Sequence, residues 1–171
     1  MTLSYSNEDD RAYGLAGMAI SLAGLDALDS IVDISLDADG PMVNFSQQYY
    51  YSLSPAVSPK SVWENLIRNF HITASMVVGN VLARSMVRLH EDLPAEVERE
   101  IYSEIAAEGA DSCGLEKDET EVLYRRIMSQ HRRIFGNPRL HPAITELARI
   151  ISRRRTLSGL ELREELAYLQ L

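Results

Sequence analysis

One cysteine, Cys113, is all that the 171 residues carry. No intrachain disulfide and no cysteine-built zinc cluster can therefore form. Its acidic neighbours Asp111, Glu116 and Asp118 oppose a thiolate, so the residue is expected to be an inert thiol in a loop. Long apolar runs are also missing. The longest, Gly14 to Leu25, is too short to cross a bilayer. It follows Glu8, Asp9 and Asp10, whereas a secretory leader starts with basic residues. A soluble, cytoplasmic protein with no membrane span is the expectation. There is no Gly-rich phosphate loop, so the chain holds no ATPase, and no Gly-x-Ser-x-Gly elbow. Internal repeats and polar low-complexity tracts are absent, so no long disordered region is expected.

What is present is ordinary in amount and uneven in placement. Hydrophobic residues make up 46% and charged residues 25%, enough for one domain with a sizeable core. The net charge of −8 is segregated. Residues 86–121 carry 3 basic and 12 acidic groups, whereas residues 122–171 carry 10 basic and 4 acidic. The two regions could pair within the fold or between subunits of a homo-oligomer. Arg125, Arg126, Arg132, Arg133, Arg149, Arg153, Arg154 and Arg155 are numerous, but an acidic whole argues against nucleic acid as a partner.

Periodicity gives the elements. A first helix is predicted from about Asp9 to Leu28, with Gly14, Gly17 and Gly24 inside it. Each interior glycine costs a helix about 1 kcal/mol relative to alanine, which close approach by a neighbouring helix would justify. Val32, Ile34 and Leu36 alternate with polar residues, and Val43 and Phe45 alternate again after the turn DADGP, predicting a hairpin. A hairpin alone is marginal, so it must pack on helices, gain a strand or pair with a partner. Val62, Leu66, Phe70, Ala74, Val77, Val81 and Ser85 then mark a long helix, the expected central core element, with Ser61 as N-cap and Glu64 completing a capping box. Pro94 opens the next helix and Gly109 closes it. Helices follow over 117–136 and from His141, and a short one comes after the turn at Ser158-Gly159. The fold class is mainly α with a small β-hairpin near the N-terminus. Residues 1–11 are a short tail and residues 12–171 a single domain.

The acidic turn does not fit a calcium loop. With Asp37, Asp39 and Gly40 at loop positions 3, 5 and 6, Ser35 and Ser46 occupy the ends, where calcium needs carboxylates. The histidines, His71, His90, His131 and His141, have neither i, i+4 spacing nor a Glu-x-x-His relation, so structural or surface roles are expected and no metal or cofactor is implied.

With the elements placed, Ala12 to Ala19, AYGLAGMA, resembles the AYHEAGHA signature of the FtsH-type zinc metallopeptidases. These are the protease domains of membrane-anchored, ATP-dependent AAA+ proteases. The strand pair at 31–45 and the long helix at 61–88 follow in that family's order. LPAEVEREI is similar to SNDLERAT, and Thr156 to Gly159, TLSG, answers TLDG in the family's closing pattern. The resemblance spans about residues 12–168 and implies a helical metallopeptidase-like domain. In the family, two histidines of H-E-x-x-H hold zinc and the glutamate is the general base. Here the matching positions are Gly14, Leu15 and Met18. The family's third ligand falls at or beside Glu96.

The resemblance therefore implies a degenerate, free-standing relative. Its expected function is catalytically inactive: a peptidase-like module that binds a protein or peptide partner. The strand edge formed by Val32, Ile34, Leu36, Val43 and Phe45 is the candidate peptide site. The alternatives are an ATP-independent metallopeptidase with a non-standard metal site built from groups such as His71, His90, His131 and Glu96, or a subunit of an ATP-dependent protease complex.

Overall fold

The computed structural model describes residues 3–50 and 58–171. Among them the chain is mainly helical, with one small antiparallel sheet. Helix α1 spans Glu8–Ala23, capped by Asn7, whose Oδ1 accepts from the Asp10 amide at 2.8 Å. It therefore begins inside the expected tail. Gly24, read as interior, is the residue that caps its C-terminus. Ala12, Leu15, Ala16, Ala19, Ile20 and Leu22 are buried on several sides of the helix. A helix apolar all round belongs in a core, and α1 packs against both α3 (Pro59–Leu82) and α6 (His141–Arg154). The role expected of the long helix is thus shared with α1.

Strands β1 (Ile31–Ser35) and β2 (Val43–Phe45) form the expected hairpin, with a register shift between Ile31 and Asp33. The hairpin gains a third strand, β3 (Thr156–Ser158), giving the order β2-β1-β3. The outward face of the sheet is satisfied across the strands. Asn44 Nδ2 donates to Asp33 Oδ1 at 2.8 Å, and the Ser35 and Thr156 hydroxyls meet at 3.0 Å. Ile34, Leu36 and Val43 turn to the core. A short helix, α2, spans Gln47–Tyr50.

Helix α3 starts one turn earlier than expected. Ser58, not Ser61, is its N-cap, because Pro59 is preorganised for the first helical position. The helix continues as a π-turn over Ala83–Arg88. Helix α4 (Ala95–Cys113) runs past Gly109. A Cβ at Gly109 would lie 2.9 Å from Phe70 Cζ, so that glycine makes room for packing. Gly114, at φ 61°, supplies the left-handed residue that ends the helix. Cys113 is consequently the buried last residue of a helix rather than a loop thiol, and burial pushes its thiol pKa up. Helices α5 (Lys117–Phe135) and α7 (Gly159–Leu169) both carry capping boxes, Glu116 with Glu119 and Ser158 with Glu161. No helix among the described residues is long and apolar enough to cross a membrane.

Candidate functional site

The signature stretch lies where α1 crosses α3. An alanine Cβ at Gly17 would stand 2.2 Å from the Gly79 carbonyl oxygen, and one at Gly79 would stand 1.9 Å from Ser21 Oγ. Only glycines let the two backbones come this close. The helix-propensity cost is therefore offset by packing.

One turn earlier, Gly14 is buried, and its missing side chain leaves space that is already used. A Cβ there would meet Asn80 Nδ2 at 2.6 Å and Tyr5 Cε1 at 2.9 Å. Asn80 Nδ2 donates to Tyr5 Oη at 2.7 Å. Leu15 has no exposed surface, and Met18 is half-buried against the core. Glu96 is exposed in the first turn of α4. These residues do not fit a zinc ion: glycine offers no donor, leucine accepts no proton, and a thioether is a poor zinc ligand. Among the described residues no group of three or more His, Cys, Asp or Glu is placed to hold a metal.

Asn80 and Tyr5 both adjoin an ionic knot. Arg84, at the start of the π-turn and 1% exposed, grips Asp10 with both arms. Its Nε donates to Oδ1 at 2.9 Å and its Nη2 to Oδ2 at 2.7 Å. Its remaining hydrogens reach the carbonyl oxygens of Leu3 at 3.1 Å and Ser4 at 2.8 Å. The Tyr5 ring lies 4.7 Å from the guanidinium carbon, a cation–π distance. Asp10 also accepts from the Ser6 amide at 2.9 Å, from the Ser6 hydroxyl at 3.1 Å, and from Arg88 Nη1 at 3.3 Å. Burial alone would raise the Asp10 pKa. The hydrogen bonds from Arg84 and Ser6 outweigh it and hold the carboxyl at about 2. The residues before α1 thus form a strap, tied to the helix start through Arg84.

His131 completes the buried polar set. It is 2% exposed, with Nδ1 2.9 Å from the Ile127 carbonyl oxygen and Nε2 3.0 Å from Ser21 Oγ. Burial pushes its pKa down, and His71 adds to the effect. The neutral ring donates from Nδ1 to Ile127, leaving Nε2 to accept from Ser21. That hydroxyl also lies 2.9 Å from the Gly17 carbonyl oxygen, so its single proton serves two acceptors. His90 and His141, distant in sequence, stack at 6.0 Å between ring centroids. His141 Nε2 donates to the Phe135 carbonyl oxygen at 2.7 Å.

The acidic turn is also accounted for within the chain. Arg155 Nε is 3.0 Å from both Asp37 carboxylate oxygens, and its Nη1 donates to Glu8. Of the expected strand edge, β1 is now the middle strand, hydrogen-bonded on both sides. Val32 is exposed on the face of the sheet, Ile34, Leu36 and Val43 are buried, and Phe45 stacks on Tyr49 at 4.0 Å. The edges left open among the described residues are the outer sides of β2 and β3. Sequence reasoning missed Asp10, Arg84, Tyr5 and Asn80. One signal was available: Arg84 interrupts the apolar run VVGNVLARSMV, where a lone charge requires a buried partner.

Comparison of the chain with protein-family models, with curated proteins and with solved structures gives no match in any of the three.

Proposed function

We propose that this chain is a catalytically inert, peptidase-like domain that binds a protein or peptide without cutting it. The observation that carries this reading is the occupied crevice at Gly14. The position that the resemblance assigns to the first zinc ligand is filled by the Tyr5–Asn80 hydrogen bond, and the position of the general base is a fully buried leucine. The scaffold around them is well packed, so the arrangement is a finished structure and not a damaged one. Among the described residues the sheet has two outer edges, β2 and β3, and that of β2 could accept an extended peptide by strand addition. Val43 and Phe45 are the members of the expected edge that belong to it, while β3 takes the far side of β1.

A peptide array probed by fluorescence anisotropy tests this, with each binder repeated in versions N-methylated at alternate amides. Strand addition uses every second peptide N–H, so methylation in one register should abolish binding and in the other leave it intact. Recovered peptides should be uncut by mass spectrometry. Binding that ignores both methylation patterns, or cleavage of bound peptide, would overturn the reading.

A further inference from the structure

The strap, residues 3–6, has no helix or strand of its own, and among the described residues no hydrogen bond joins its backbone to another backbone group. Side chains of the helices beneath hold it instead. Arg84 donates to the Leu3 and Ser4 carbonyl oxygens, and Asp10 accepts from the Ser6 amide. These contacts address main-chain atoms and are indifferent to sequence. The strap's side chains add to them. Leu3 packs against the core, and the Ser6 hydroxyl reaches Asp10. Tyr5 lays its ring on the Arg84 guanidinium and its hydroxyl on Asn80, over a residue with no side chain, Gly14.

The strap also lies outermost. Ser4 and Ser6 are exposed, and Tyr5 is 36% exposed. Lifting it away breaks no helix and no sheet. It leaves Arg84 and Asp10 paired through two hydrogen bonds, so neither ion is stranded. Beside Tyr5 and Ser6 a cleft of about 380 Å³ runs on past Arg11, Leu36, Asp37 and Arg155, which gives a longer chain room to continue.

We infer that the crevice over Gly14 is a peptide-binding site that the chain closes with its own strap. The strap shows the chemistry of the ligand: an extended peptide segment with one tyrosine. The two carbonyls before the tyrosine accept from Arg84. The ring covers the guanidinium, and the hydroxyl accepts from Asn80. The amide after the tyrosine donates to Asp10. A segment of this kind displaces the strap by repeating its contacts. Its apparent affinity is reduced by the fraction of chains whose strap is released, so loosening the strap tightens binding. The site uses no residue of the β2 edge, so it stands or falls apart from the strand-addition reading.

Amide NMR titration of the full chain with the amidated peptide LSYSN tests it, in the wild type and in Tyr5→Ala. The substitution removes the strap's ring and leaves Arg84, Asp10, Asn80 and Gly14 in place; the spectra themselves show that the variant folds. The peptide should shift the Gly14, Asn80 and Arg84 amides of Tyr5→Ala. In the wild type its dissociation constant should be at least about tenfold higher, because the intact strap competes. Alanine in place of the peptide's tyrosine, or N-methylation of the serine after it, should weaken binding to Tyr5→Ala at least about tenfold. Hydrogen exchange on the wild-type chain alone gives a second readout. The Ser6 amide should exchange at least about a hundredfold faster than the buried Leu15 amide of α1, because the strap opens without the core. A peptide that does not bind Tyr5→Ala would overturn the proposal. So would equal affinity for the two chains, binding that ignores the tyrosine or the methylation, or a Ser6 amide that exchanges only together with α1.

Discussion

Asp10 receives two arms of Arg84, one of Arg88 and both donors of Ser6 while 3% exposed. Such a pair is costly to break, because the survivor stays buried and unpaired. Asp10→Asn should therefore destabilise the fold by about 3–5 kcal/mol, read as a lower urea midpoint. The same residue sets an acid limit. Its carboxyl titrates at about 2 in the fold against 3.8 as the ordinary value. A depressed folded pKa stabilises above the unfolded value and is lost as pH falls through the folded one. The contribution, about 2 kcal/mol, is thus complete above about pH 4 and gone near pH 2. The gap between wild type and Asp10→Asn should narrow across that window, and a gap that is constant with pH would contradict the linkage. Arg84 in its apolar run calls for a buried partner, but the sequence does not point to Asp10, which reads as one more acid of a tail. Its partner lies 74 residues away, and side-chain pairing over that distance leaves no local periodicity.

At the scale of elements, the glycines were the informative residues. Interior glycines in a first helix implied a close neighbour, and α3 is that neighbour. Gly17→Ala forces a methyl against the Gly79 backbone, which cannot rotate away, and should cost about 3 kcal/mol. Gly14→Ala meets only the ends of Asn80 and Tyr5, which can shift, and should cost about 1 kcal/mol. Thermal melts of the two variants give the ranking, and equal losses would mean the crossing is looser than described. Helices α4 to α7 were readable from spacing and Pro/Gly punctuation. Their ends are less so, because a glycine late in a helical run reads as a stop, whereas Gly109 makes room for Phe70. Strand β3 was invisible, since three residues make no period and its partner β1 is more than a hundred residues away. Its neighbour Gly159 carries the constraint instead: a Cβ there would lie 2.2 Å from the Ile31 carbonyl oxygen.

Across the whole molecule, the mainly α class followed from composition and periodicity, and the segregated charge maps onto distinct helices. The candidate site was legible only in outline. The resemblance picks out Gly14, Leu15 and Met18, while the Tyr5–Asn80 hydrogen bond that crowds Gly14 leaves no trace in the spacing. The central claim is that the scaffold carries no zinc site at α1. Elemental analysis of the untagged chain after gel filtration and dialysis tests that claim most directly. Zinc far below one equivalent per chain is the result predicted here; zinc close to one equivalent that survives dialysis would contradict it.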